Sequence, residues 1–246
     1  MNQELVIKLI EQLKIIANGV NNIWPIIASF SVGFIALIVG IIGIFQDRIR
    51  VLFTKPKLLV SSRLESPDCC KMPLTSPIDG KFICYGFYFR LKIENIGNYR
   101  MEDVEVMITE LLKFNKEIND YEKVKSFLPQ NLVWSHTQQQ LTLPQSRITM
   151  PKIQPGLFKY LDLGYIRPTN EELKKIFNSN NIFIFDVMVH PNNLSEAIYP
   201  GKYKLKLFFT ANNMRVYKKD YLLEFKDELA DTEEKMFKKI VKLEEI

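Results

Sequence analysis

Ile83-Cys84-Tyr85-Gly86-Phe87-Tyr88-Phe89-Arg90-Leu91-Lys92-Ile93-Glu94 alternates between two kinds of side chain. Ile83, Tyr85, Phe87, Phe89, Leu91 and Ile93 fall on one face, and Cys84, Tyr88, Arg90, Lys92 and Glu94 on the other. Successive side chains of a strand point to opposite faces, so a period of two marks a half-buried antiparallel strand. The pattern returns twice. Phe183, Phe185, Val187 and Val189 alternate with Ile184, Asp186 and His190; Tyr203, Leu205, Leu207 and Phe209 alternate with Lys202, Lys204 and Lys206. Further strands are expected at 57–63, 103–112, 131–136, 156–163 and 216–225. Turn chemistry separates them at Asp79-Gly80, Asn95-Ile96-Gly97-Asn98, Pro155-Gly156, Pro200-Gly201 and Asn212-Asn213. Seven or eight such strands predict a mainly β fold, an antiparallel β-sandwich of immunoglobulin-like type, with a small barrel as the competing closure. The segment from Lys113 to Gln130, rich in Lys, Glu and Asn, reads as an insertion between strands.

Outside this β-rich part the composition changes. The 246 residues carry 33 Lys and Arg against 28 Asp and Glu, a net charge of +5. Yet Ile23 to Phe45 holds no charge at all. As a helix, that run is long enough to cross a bilayer core of about 30 Å. Asn21 and Asn22 can cap its start, Pro25 suits a first turn and Trp24 suits an interface. The run is too long for the core of a cleaved signal peptide and has no small-residue cleavage site after it. Arg48, Arg50, Lys55 and Lys57 follow it, against Lys8 and Lys14 before it. Basic residues stay in the cytoplasm, so the C-terminal domain is expected there, on an inner (cytoplasmic) membrane crossed once. Within the run, Ser29, Gly33, Ala36, Gly40 and Gly43 recur at alternating spacings of four and three, which puts small residues on one stripe. In lipid, small residues let helix backbones approach closely, and the stripe predicts homo-oligomerisation or packing against a partner helix.

Upstream, Val6, Leu9, Leu13, Ile16 and Val20 follow helical spacing, with Gly19 as the expected stop. The segment would lie on the membrane surface or form a short coiled coil. Downstream, Thr169-x-x-Glu172 predicts a short helix ending near Asn178. Asp231-x-x-Glu234 opens a terminal one whose apolar face is Met236, Phe237, Ile240, Val241 and Leu243. That helix would dock on its own domain or on the inner membrane surface. The expected organisation is therefore an amphipathic helix at 1–22, a transmembrane helix at 23–45, a basic linker at 46–57, a β-sandwich at 58–226 and a C-terminal helix at 227–246.

Three stretches carry a resemblance: Thr54-Lys55-Pro56-Lys57-Leu58, Pro67-Asp68-Cys69-Cys70-Lys71-Met72-Pro73, and Phe87 through Asn95-Ile96-Gly97. Together they resemble uncharacterised bacterial membrane proteins with an N-terminal membrane helix and a β-rich, immunoglobulin-like soluble domain. The resemblance implies a fold and a location, but no activity, and it carries over no functional residue.

Motifs for chemistry are sparse. The chain has no G-x-x-x-x-G-K-[ST], no G-x-G-x-x-G and no G-x-S-x-G. Two histidines, His136 and His190, exclude a His-rich metal site. Cys69, Cys70 and Cys84 lack the C-x2–4-C spacing of structural zinc, and their odd number gives no disulfide framework. Asp186 and His190 stand four apart on a predicted strand, about 13 Å, too far to bond each other. The expectation is a chain with no catalytic residues, no metal and no cofactor, so not an enzyme.

The stripe Lys202, Lys204 and Lys206 is the candidate anion or ligand site. If the last two strands pair around Asn213, Lys206 falls opposite Asp220 and Lys202 opposite Glu224, absorbing most of the stripe. The same register puts Leu207 against Lys219, an imperfect apolar match. From residue 58 onward the chain holds 27 basic and 25 acidic groups, too balanced for nucleic acid. Two functions fit: a membrane-anchored binding module recognising a protein or small ligand, or a defence effector. In the second, the soluble domain senses a signal, such as a nucleotide, and clustered helices breach the bilayer.

Overall fold

The period-two stretch is a fourteen-residue strand in the computed structural model of the chain. The structure describes residues 3–76, 79–135 and 148–246, with the backbone alone at 3, 5, 18, 20–22, 26 and 47–53. The chain divides into two units, Met1–Thr54 and Lys55–Ile246.

The first unit is one helix, α1 (Gln3–Phe53). The expected stop at Gly19 does not occur. A glycine inside a helix costs only about 1 kcal/mol, less than the many hydrogen bonds of a 51-residue helix supply. Pro25 therefore lies inside the helix rather than in a first turn. The Ser29 hydroxyl donates to the Pro25 carbonyl at 2.7 Å. Ile23–Gln46, with a mean hydropathy of 2.5, is long and apolar enough to cross a membrane.

The second unit carries β1 (Leu58–Ser61), β2 (Cys69–Thr75), β3 (Phe82–Asn95), β4 (Met101–Asn115), β5 (Asp120–Lys123), β6 (Gln130–Asn131) and β7 (Val133–Trp134). Next come β8 (Met150–Ile153), β9 (Phe158–Pro168), α2 (Glu171–Phe177), β10 (Asn181–Phe185), β11 (Ala197–Ile198), β12 (Gly201–Ala211) and β13 (Met214–Phe225). It ends with α3 (Glu233–Lys235), a π-helical turn (Met236–Ile240) and β14 (Val241–Glu245). The strands form two antiparallel sheets, as expected for a sandwich. One runs β1-β3-β9-β10-β11, with β2 also on β3 and β7 also on β9. The other runs β14-β13-β12-β4-β5, with β6 and β8 also on β4. Phe87, Phe89, Leu91 and Ile93 of the first sheet and Tyr203, Leu205, Leu207 and Phe209 of the second share one buried core.

The β12–β13 hairpin has the register read from its residues: Tyr203 faces Leu223, Leu205 faces Tyr221, Phe209 faces Tyr217 and Leu207 faces Lys219. Elsewhere the chain departs from expectation. The strand predicted at 131–136 is a crossing point. Buried Leu132 donates its N–H to Val106 in one sheet, and the next N–H, of Val133, reaches Asp186 beside the other. The predicted insertion contains β5, which closes a hairpin on the end of β4. β10 stops at Phe185, so Asp186 and His190 do not share a strand, and Val189 is exposed. The predicted C-terminal helix lasts one turn and a π-turn. Met236, Phe237 and Ile240 dock into the sandwich core, and then the period switches to two. Val241 and Leu243 point inward, Lys242 and Glu244 outward, and β14 pairs with β13. Both short helices start one residue later than the motifs indicated, on Asn170 and Thr232 as caps.

Around Lys55–Lys57, Asn95-Ile96-Gly97-Asn98 does more than turn the chain. Asn95 is fully buried and uses all four of its amide bonding positions. Its Nδ2 donates to the carbonyls of Tyr99 and Ile153 at 2.7 and 2.9 Å. Its Oδ1 accepts from the N–H of Gly97 at 3.0 Å and of Lys57 at 3.4 Å. Asn98 pairs with Lys55 through its side chain and its backbone. A side chain at position 97 would run into the backbone of Lys55, Pro56 and Lys57, so only glycine permits this approach.

A candidate ligand cleft

Three strand ends meet at one edge of the second sheet. The β4–β5 hairpin brings Lys113, Phe114, Lys116, Glu117, Glu122 and Lys123; the entry to β12 brings Tyr199 and Lys202; the exit of β13 brings Glu224 and Lys226. They line an open cleft of about 890 Å³. The pairing of β12 with both β4 and β13 fixes their spacing. Lys113 Nζ donates to the Tyr199 hydroxyl at 2.6 Å and lies 4.0 Å from the centre of that ring. Lys202 lies 3.5 Å from Glu224 and over the Phe114 ring at 5.7 Å. Lys123 is engaged by Glu110, 3.1 Å away. Among the described residues, the ammonium groups of Lys113, Lys116 and Lys226 carry no ion pair.

Of the lysine stripe, only Lys202 lines this cleft. Lys204 lies over the Tyr121 ring at 4.8 Å. Lys206 is bound at 2.8 Å by Glu110 of β4 rather than by Asp220 opposite it. Hydrogen bonds from Lys206 and Lys123 hold the Glu110 carboxyl below its ordinary range, and the Glu110 hydrogen bond raises Lys206. Two of the three stripe lysines are thus compensated, and Lys113, Lys116 and Lys226, the cleft lysines without an ion pair, were not singled out in the sequence. They come from segments more than a hundred residues apart, and only the sheet register joins them.

Ser29, Gly33, Ala36, Gly40 and Gly43 share one side of α1 and are exposed. A methyl group added at Gly33, Gly40 or Gly43 meets nothing within 4 Å. Lys55 and Lys57 belong to the clasped segment, whereas Arg48 and Arg50 sit on the last turns of α1 with side chains outside the described residues.

Cys69 and Cys70 occupy a strand, β2, and so point to opposite faces. Cys69 is in the core and burial pushes its thiol up to about 12. Cys70 faces Arg90, whose Nε binds Asp162 at 2.8 Å in a buried pair that Ser135 also joins, at 2.6 Å. Burial raises the Cys70 thiol too, so this cluster holds no ready thiolate. Ser195 accepts from Gln130 at 2.8 Å, and His190 faces Glu196 at 3.5 Å, with no link between the serine and the histidine. His136 lies outside the described residues. Among the described residues, no group of three or more His, Cys, Asp or Glu gathers as metal ligands.

Comparison with protein-family models, curated proteins and solved structures finds no match for the chain. The layout implied by the resemblance, an apolar N-terminal helix and a β-rich domain, is present.

Proposed function

We propose that this chain is a non-enzymatic, single-pass membrane-anchored binding protein of a bacterial inner membrane. Ile23–Gln46 is its anchor and the β-sandwich its cytoplasmic recognition domain. The observation that carries this reading is the 24-residue apolar span, none of whose described side chains is buried. Apolar side chains such as Phe30 and Ile44, each more than three-quarters exposed, need lipid or another helix around them. Arg48, Arg50, Lys55 and Lys57 support the cytoplasmic side for the sandwich, and the three free cysteines agree. The recognition domain offers a cleft of ligand size, and its near-balanced charge argues against nucleic acid.

The test is retention of the full chain in membranes washed with alkaline carbonate, with thiol labelling from outside intact cells. Retention without labelling of the partly exposed Cys70 and Cys84 is expected. Release by carbonate, or labelling from outside, rejects the anchor or its orientation.

The open glycine stripe favours a second reading, a bacterial defence effector whose helices cluster and breach the membrane when the sandwich meets its signal. A Gly33→Leu, Gly40→Leu variant separates the two. A tether variant keeps its location and, like the parent, leaves the membrane potential unchanged, whereas an effector loses depolarisation.

A further inference from the structure

The cleft bounded by the β4–β5 hairpin and the ends of β12 and β13 has a composition that restricts what it holds. Resting on the reading of the sandwich as a recognition domain, we infer that this cleft takes a small phosphate-bearing ligand with a planar ring, in the class of nucleoside polyphosphates.

Charge sets the sign of the ligand. Five lysines and three glutamates line the cleft, so its lining is net cationic; Glu224 is paired with Lys202, while Glu122, which accepts from the Asn115 amide at 3.0 Å, and Glu117 keep their charge. Among the described residues, Lys113, Lys116 and Lys226 carry no ion pair, and they line one volume from two different segments. Separate ammonium groups match a charge spread over several phosphate oxygens, since lysine binds phosphate as a movable point charge.

Size and shape set the rest. At about 890 Å³ the cleft lies near the upper end of small-molecule sites, typically about 300–1,000 Å³. Inorganic phosphate alone would leave most of it to water. The walls also carry two aromatic rings, the exposed Tyr199 and the partly exposed Phe114, each with a lysine ammonium alongside. A ligand with a planar ring next to its anionic group meets ring and cation together. Stacking on such rings tolerates any base. A nucleic acid strand needs a continuous basic track, and here the neighbouring Lys206 and Lys123 are already held by Glu110.

Equilibrium dialysis of the full chain in lipid nanodiscs tests this, with ATP, GTP, pyrophosphate and adenosine as separate probes. ATP or GTP should bind at least about tenfold tighter than pyrophosphate or adenosine, and binding should weaken with salt. Lys116→Glu and Lys226→Glu should each weaken it about tenfold, while Lys218→Glu, outside the cleft, leaves it unchanged. An unaltered thermal transition shows that each variant is folded. Pyrophosphate binding as tightly as the nucleotides removes the ring from the proposal. Binding that survives both reversals places the ligand elsewhere, and absence of binding at about 1 mM overturns the inference. The carbonate wash scores the anchor independently, so failure here leaves the membrane reading standing.

Discussion

Lys219 on β13 and Val60 on β1 are joined across the sandwich: the buried Lys219 ammonium donates to the Val60 carbonyl at 2.7 Å. The same ammonium pairs with Glu245 on β14, so one side chain ties an edge strand of the first sheet to two strands of the second. Lys219→Met removes the donor and leaves the Val60 carbonyl without its partner. The expected cost is about 1–3 kcal/mol, a melting point lower by roughly 2–10 °C. Glu245 is more than half exposed, and Glu245→Gln should cost less than about 1 kcal/mol. Equal losses in the two variants, measured by thermal denaturation, would move the stabilisation from the carbonyl to the ion pair.

Gly97 controls the clasp on the Lys55–Lys57 segment. In Gly97→Ala the new methyl group meets the Lys55–Lys57 backbone, so the segment must lift and lose its bonds to Asn95 and Asn98. Trypsin should then cut after Lys57 several-fold faster than in the parent chain, while bonds inside the sandwich stay protected. Unchanged cleavage at Lys57 would show that the clasp does not limit access.

Cys69 gives the fold a slope at high pH. Burial raises its thiol from 9.0 to about 12, so the folded state holds a proton that the unfolded state releases. Its contribution is fully present below pH 9 and is lost as pH rises from 9 towards 12, at up to about 1.4 kcal/mol per pH unit. Denaturant midpoints between pH 9 and 11 should fall less steeply in Cys69→Ala than in the parent. Parallel slopes would discount the thiol. At pH 8 a maleimide should reach Cys70 and Cys84 in the native chain and Cys69 only after unfolding.

The hairpin from β12 to β13 was legible residue by residue, because a turn at Asn212-Asn213 and opposed charges leave one register. Its apparent flaw, Leu207 against Lys219, is the place where the chain builds its link between sheets. β2 was not legible. Cys69–Thr75 mixes two cysteines, a lysine and Pro73, and an edge position beside β3 is what lets the proline in. The end of the chain misled because Met236, Phe237 and Ile240 have helical spacing and Val241 and Leu243 continue it, while the backbone changes period between them. In α1, Gly19 and Pro25 looked like boundaries, and neither penalty outweighs continuing the helix. The cleft was half legible. Lys202 belongs to a visible stripe, but Lys116 and Lys226 come to line one cleft only through the sheet.

β4 and β12 form the centre of the second sheet, with Lys113 against Tyr203 and Glu105 against Thr210, about a hundred residues apart in sequence. Closing so long a stretch is an entropic barrier, and folds dominated by such pairings form in roughly milliseconds to seconds. Helical hydrogen bonds span four residues, and a helix assembles within about a microsecond. Until β12 arrives, β4 has its hairpin partner β5 and the short strands β6 and β8, but not the long strand that fills the centre of the sheet. The apolar helix is therefore formed, and in need of cover, at least about a thousandfold sooner than the sandwich closes.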